Sequence, residues 1–229
     1  MKKRKDNRKA DEPREIKAEV GIIKRATGSA MFKIGDTVAI AAVYGPRSLH
    51  PKYLQNPEKG ILRCNYNMMA FSGSGERIRP GPSRRSREIS MVIGKALEPA
   101  VELHEFPDSV VDIFIEITQS DSGTRCAGIC AASLALADAG VPMKDLVSAI
   151  ALGRIGNDIF VDVTKEEEDI EGMADVPVAF MPNSGKVTLL QCDGFLTKEQ
   201  LKQILELGKK VCMEIYKIQK KALKEKYIK

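Results

Sequence analysis

Three short stretches of the chain combine residue types that can handle phosphate. The first is Asp121-Ser122-Gly123-Thr124-Arg125, which leads into a run of small and apolar residues. A helix start leaves backbone N–H groups free and carries a partial positive charge. Gly123 lets an anion approach the backbone closely, Thr124 adds a hydroxyl, and Arg125 adds a fork of charged donors. The stretch reads either as a phosphate seat or as an ordinary helix start with a solvated arginine. It is not a Walker A loop, because G-x-x-x-x-G-K-[ST] is absent. The second stretch, Ser83-Arg84-Arg85-Ser86-Arg87, also opens a helical pattern. Arginines in a first turn oppose the helix dipole unless an anion is near. Contacts of this type hold a nucleic-acid backbone without reading its sequence. The alternative is a surface loop whose charges face water. The third stretch runs from Glu166 to Asp175 and is strongly acidic. Asp169 and Asp175 are too far out of phase to share a helix face, but a bent loop leading into a strand aims both at one place. Paired carboxylates hold Mg²⁺ or move a proton; the alternative is a solvated acidic loop. Together, two anion-binding helix starts and a carboxylate pair suit phosphoryl transfer. The G-x-S-x-G, H-E-x-x-H and Rossmann glycine patterns of other mechanisms are missing.

The elements that must carry these stretches follow from periodicity and turn signals. From Ile16 to Tyr44, the apolar runs Ile22-Ile23, Ala30-Met31-Phe32 and Val38 to Val43 are separated by Thr27-Gly28-Ser29 and Gly35-Asp36, an antiparallel meander. Residues 45–60 read as a long loop, Ile61 to Met69 as a strand, and 72–83 as a second loop. Ile89, Val92, Ile93, Ala96 and Leu97 lie on one helical face, with Ser83 as N-cap after Pro80 and Pro82. Val110 to Thr118 is a strand. The helix after Arg125 is so rich in Ala, Gly and Ser that it must pack very close to a sheet; Gly140 and Pro142 stop it. Ala149–Ile155 and Ile159–Val163 flank Gly156-Asn157-Asp158 as a hairpin. Val176–Met181 and Lys186–Gln191 are two more strands, and 197–226 is a long terminal helix. The sum is α+β, mixed sheets with helices packed on their faces. The expected organisation is a basic N-terminal arm (1–15), polar and mobile at its start, a first module (16–148) and a second (149–229).

Size and composition bound the rest. A chain of 229 residues with 43 % hydrophobic and 29 % charged residues folds around a substantial core. No apolar run is long enough to span a membrane, and no secretory signal follows the basic start. The net charge is only +5 but is unevenly spread, with a basic arm at 2–9 and five arginines between 77 and 87. Such patches fit a polyanionic partner or a solvated tail and loop. The five cysteines, Cys64, Cys126, Cys130, Cys192 and Cys212, show no C-x-x-C spacing, and only His50 and His104 could add zinc ligands. They read as reduced thiols of a cytoplasmic protein, most of them core residues.

The chain also resembles a known family. Glu19-Val20-Gly21, Gly28-Ser29-Ala30 and Ala41-Ala42-Val43-Tyr44-Gly45-Pro46-Arg47 are similar to the opening of archaeal exosome RNase PH-like catalytic subunits. Pro80-Gly81-Pro82-Ser83-Arg84-Arg85, Asp121 to Arg125, and Glu168-Asp169 with Asp175 resemble the later motifs of that family in the same order, over about residues 6–227. The resemblance implies the RNase PH fold (ribosomal protein S5 domain 2-like), with two βαβ-type halves. It implies processive 3′-to-5′ phosphorolysis of RNA releasing nucleoside diphosphates, with reverse tailing. It implies a trimer-of-dimers hexameric ring shared with an inactive homologous subunit, RNA-binding cap proteins, and Mg²⁺ as cofactor. By position, Gly123, Thr124, Arg125 and Arg85 match phosphate binding; Arg63, Arg84 and Arg85 match RNA binding; Asp169 and Asp175 match the catalytic acids and tentative Mg²⁺ ligands. Two departures stand out. Asp6-Asn7-Arg8 replaces an Asp-Gly-Arg turn, and Tyr66-Asn67-Met68 replaces Tyr-His-Met. The alternatives are a homohexameric RNase PH trimming tRNA 3′ ends and an inactive RNA-binding ring subunit.

Overall fold

The computed structural model describes residue 4, residues 6–79 and residues 81–227. Lys2, Lys3 and Lys5 of the basic arm and Pro80 of the arginine loop lie outside the described residues. Two sheets organise the chain. The first has five strands in the order β1-β2-β3-β5-β4: β1 (Ile16–Val20), β2 (Gly28–Ile34), β3 (Thr37–Ser48), β4 (Ile61–Met68) and β5 (Ser109–Gln119). Its β1-β2-β3 part is the antiparallel meander, and β4 pairs with β5 in parallel. Helix α1 (Arg84–Leu97) makes that crossover, so β4-α1-β5 is a βαβ unit. The second sheet, β7-β6-β8-β9, is antiparallel at every pairing: β6 (Ser148–Ile155), β7 (Asp158–Val161), β8 (Ala174–Met181) and β9 (Lys186–Leu190).

Helix α2 (Thr124–Asp138) packs on β2, β3 and β5 of one sheet and on β6 and β8 of the other. That position explains its composition. A helix enclosed by two sheets must be apolar all round, and nearly every α2 residue is buried. Small residues let it sit close: a Cβ on Gly28 would lie 2.4 Å from the Ala135 carbonyl oxygen. One continuous core therefore runs through both sheets. The terminal helix α4 (Lys198–Tyr227) covers the second sheet and reaches β1. Its buried Gln219 is fully used, accepting from Ser148 Oγ (2.6 Å) and donating to the Cys130 and Val147 carbonyls. Among the described residues, no helix is long and apolar enough to cross a membrane. All five cysteines are free thiols, and Cys126, Cys130 and Cys212 are buried.

Three expectations need correction. Ile22-Ile23 is not a strand run. The first strand is Ile16–Val20, where side chains alternate in burial, and Gly21 at φ 74° ends it. The loop expected at 45–60 is shorter, because β3 continues through Ser48. The described part of the N-terminal arm is not a solvated tail: Arg4 is 5 % exposed and bonded to the Val161 and Asp162 carbonyls. Asn7 takes φ 62°, so the turn usually made with glycine survives here.

Candidate active site

The α2 start is built by a sharp turn. Ser122 (φ 59°) and Gly123 (φ 63°) both adopt left-handed conformations, and Gly123 is the N-cap. No side chain caps the first turn of α2, so its backbone donors remain available to an anion. Thr124 is buried, and its hydroxyl accepts a hydrogen bond from the Tyr66 phenol of β4 at 2.9 Å. Its side chain therefore faces the protein and not the cleft. Arg125 points outward. Its Nη1 donates to Gln191 Oε1 at 2.7 Å, its Nη2 lies 3.8 Å from Glu88, and its buried Nε has no partner.

Helix α1 begins differently. Ser83 Oγ accepts from the Ser86 backbone at 3.0 Å while Ser86 Oγ accepts from the Ser83 backbone at 2.8 Å, a closed capping box. Arg84, Arg85 and Arg87 stand exposed on this first turn.

Arg85 and Arg125 meet the acidic region in one cleft of about 580 Å³ between α1, α2 and the β8 end of the second sheet. Glu88, Lys165, Glu168, Asp175, Gln191 and Asp193 also line it. The acidic stretch is not a plain loop. It opens with a one-turn helix, α3 (Lys165–Glu168), and then turns into β8. Asp175, the second residue of β8, has a buried Oδ1 without a partner. Burial and the nearby Glu168 carboxylate push its pKa up to about 6, against the lowering effect of Arg125.

The predicted residues are thus partly gathered and partly dispersed. Arg85, Arg125 and Asp175 share the cleft. Asp169 caps the C-terminus of α3, exposed, with its carboxylate 2.6 Å from Lys165 Nζ; the acid lining the cleft from α3 is Glu168. Arg84 is exposed on the first turn of α1 and does not line the cleft. Arg63 sits on β4 in a separate groove, bound side-on to Asp112 at 2.6 and 3.0 Å. Asn67 donates to Glu116 at 2.8 Å and takes no part in the cleft.

Sequence reasoning missed Glu88, Lys165, Glu168 as a lining residue, Gln191 and Asp193. The helical phase of Glu88, one turn after Arg85, was the available signal; for Gln191 there was none, since its contact with Arg125 spans 66 positions. Among the described residues, no group of three or more His, Cys, Asp or Glu side chains is arranged to hold a metal. That still fits Mg²⁺, which commonly takes one or two carboxylates together with water and substrate phosphates.

The model of the 3′ exoribonuclease family matches twice, its domain 1 over residues 12–142 and its domain 2 over residues 145–211. The exosome complex component Rrp41 of Thermococcus kodakarensis is 56 % identical over 227 residues, covering 99 % of this chain and 90 % of that protein. The protein of the same name from Nitrosopumilus maritimus is 51 % identical, covering 98 % and 91 %. Among solved structures, rice Rrp46 superposes with a TM-score of 0.84 at 24 % identity, covering 95 % of this chain and 98 % of that one. A chain of the Archaeoglobus fulgidus exosome with RNA bound to the active site gives 0.79 at 22 %, covering 99 % and 93 %. At these identities the two structures speak to the fold, which is that of RNase PH domains. The chain belongs to the 3′ exoribonuclease (RNase PH) family, as a 3′-to-5′ phosphorolytic exoribonuclease with both family domains present.

Proposed function

We propose that this chain is the catalytic subunit of an exosome, shortening RNA from its 3′ end with inorganic phosphate and, in reverse, adding nucleotides from diphosphates. The observation that carries this reading is a matched pair of buried, unpartnered atoms in one cleft: Arg125 Nε, a donor, and Asp175 Oδ1, an acceptor or acid. Buried polar atoms without partners are uncommon, and here a phosphate and a leaving oxygen would use them.

Phosphate sits at the open start of α2, held by Arg125 and backbone N–H groups, with Arg85 sharing its charge. One phosphate oxygen attacks the last phosphodiester in line, the bond from phosphorus to the 3′ oxygen breaks, and the released nucleotide carries the attacking phosphate as a nucleoside 5′-diphosphate. The arginines offset charge that builds on the phosphoryl oxygens. With a pKa near 6, Asp175 retains a proton often enough near neutrality to pass it to the 3′ oxygen. Mg²⁺, when bound, would add further charge neutralisation, and Asp175 with Glu168, the carboxylates that share the cleft, would hold it, while Asp169 would join them only by releasing Lys165. Proton donation and metal binding by Asp175 exclude each other at any one moment, so varying Mg²⁺ across a pH–rate profile separates them.

In this reading two modules, 16–148 and 149–229, meet at the cleft: the first supplies Arg85 and Arg125, the second Asp175. The working form is a hexameric ring in the cytoplasm that alternates this chain with a homologous inactive subunit and carries RNA-binding caps. Arg63 and Arg84 guide the strand toward the cleft. The test is the released nucleotide. The ring given end-labelled RNA and phosphate should yield nucleoside diphosphates. Release of monophosphates independent of phosphate would reject the reading.

A further inference from the structure

The arginines of the N-terminal arm hold the cleft together from behind. Arg14 binds Asp162 side-on, Nε to Oδ2 and Nη2 to Oδ1 at 2.7 Å each, and its backbone N–H donates to the same carboxylate at 2.8 Å. Its remaining nitrogen, Nη1, donates to the Asp121 carbonyl (2.7 Å) and carboxylate (2.8 Å). Asp121 opens the turn that delivers Arg125, and its other carboxylate oxygen accepts from the Lys165 backbone at 3.0 Å, the first residue of α3. The next residue, Ser122, donates to Glu168 Oε1 at 2.7 Å. From the far side, Arg4 grips Glu167 with two bonds of 2.9 and 2.8 Å.

The arrangement has a physical rationale. A one-turn helix does not persist alone, because nucleation is unfavourable. Both residues that α3 contributes to the cleft, Lys165 and Glu168, therefore depend on outside ties. Those ties run to the α2 turn, and the α2 turn runs to Arg14. Asp162 holds an unusual φ of 52° and its side chain is 2 % exposed, so the anchor end is fixed. Gly35 leaves the space that the Arg14 stem fills: a Cβ there would lie 2.3 Å from Arg14 Cδ. Removing Arg14 from such a buried pair leaves Asp162 with only Arg8, at 3.5 Å, to offset its charge.

We propose that Arg14, anchored by Asp162, is a positioning residue for phosphorolysis: it locks the α2 start and α3 in one relative placement, so that Arg125 and Lys165 face the same phosphate. It touches no substrate. This rests on the phosphorolytic reading of the cleft.

The test uses assembled rings carrying Arg14→Gln, Arg14→Lys, or Arg14→Gln with Asp162→Asn. The double variant leaves no buried carboxylate of that pair unpaired, and lysine keeps the charge without the fork, so folded forms are in hand. The expected result is a rise of about tenfold in the KM for phosphate, with the KM for RNA unchanged, since small misplacements of catalytic groups have effects of that order or more. The rise persists in the double variant even where its melting temperature returns to the wild-type value. A double or lysine variant that assembles and keeps the wild-type phosphate KM overturns the proposal. A wild-type ring that releases no nucleoside diphosphate faults the functional reading instead, so the two failures are distinct.

Discussion

Helices α1 and α2 both bring an arginine to the cleft, yet their first turns are finished in opposite ways. The α1 start is closed on itself by the reciprocal Ser83–Ser86 bonds. The α2 start is open, with left-handed Gly123 as its cap and no side chain on its free N–H groups. The surroundings differ in the same sense. Only one face of α1 is buried, whereas α2 is enclosed by two sheets. An enclosed helix with an open end is a rigid anion seat, while a capped helix on the surface is a mount for side chains. On the proposed function, this contrast predicts phosphate chemistry on the α2 side and the grip on the substrate's charge on the α1 side.

The largest effect should come from Asp175, which faces the α2 start across the cleft. Asp175→Asn should lower phosphorolysis about 10³-fold, in the range general acid–base groups contribute, measured as diphosphate release at saturating phosphate. The same variant should be more stable than wild type at pH 8. The folded pKa of about 6 lies above the ordinary 3.8, so the folded state holds this proton more tightly than the unfolded chain. Stability from that group is present below pH 4 and is lost as pH rises toward 6. Asparagine escapes that loss, a gain of up to about 3 kcal/mol at high pH. Thermal melts at pH 8 and pH 4 check it: the gain should vanish at the lower value. A variant destabilised at pH 8 would show that Arg125 and the Val176 N–H stabilise the charged carboxylate more than burial penalises it.

Next in size is Arg125→Gln, expected to reduce the rate about 10²-fold, as loss of a preorganised donor does, chiefly through the phosphate KM. Arg85→Gln should reduce it about tenfold, because it removes one charged contact to phosphate or RNA while the α2 seat remains. Steady-state rates across a phosphate titration rank the two. An equal or reversed ranking would break the distinction between seat and mount.

How much of this was written in the chain depends on the range of the interactions. The amphipathic face of α1, the Ser83 cap and the tight packing implied by the small residues of α2 were legible, because each is set by neighbours within a turn or two. So was the Gly156 turn, where Ile155 pairs with Asp158. Ile22-Ile23 misled, since two adjacent apolar residues carry no period. The cleft was legible in its α1 arginine, whose charge opposes the dipole of the helix it opens, in Arg125 beside a glycine at a helix start, and in Asp175 as one of a spaced pair of carboxylates. Its remaining members were not, and neither was the use of the basic arm. Arg4 meets Glu167 across 163 positions and Arg14 meets Asp162 across 148. A run of positive charge looks the same whether it faces water, RNA or a buried carboxylate; only the fold distinguishes them.

The smallest effect sharpens the comparison most. Ser83→Ala removes the α1 cap without touching an arginine. It leaves the Ser86 N–H without its acceptor and should destabilise the protein by about 1 kcal/mol. For a chain of this size that is a fall of roughly 2–4 °C in melting temperature. Phosphorolysis at a temperature well below the melt should stay within about twofold, since a helix buried along one face keeps its axis when a single cap is lost. If the rate instead dropped as far as with Arg85→Gln, the closed α1 start would be contributing its own N–H groups to phosphate once opened or reshaped. The two helix starts would then be variants of one seat, each able to bind anion. Measuring the phosphate KM of Ser83→Ala beside its melting temperature decides between them: a shift in melting temperature alone keeps seat and mount apart.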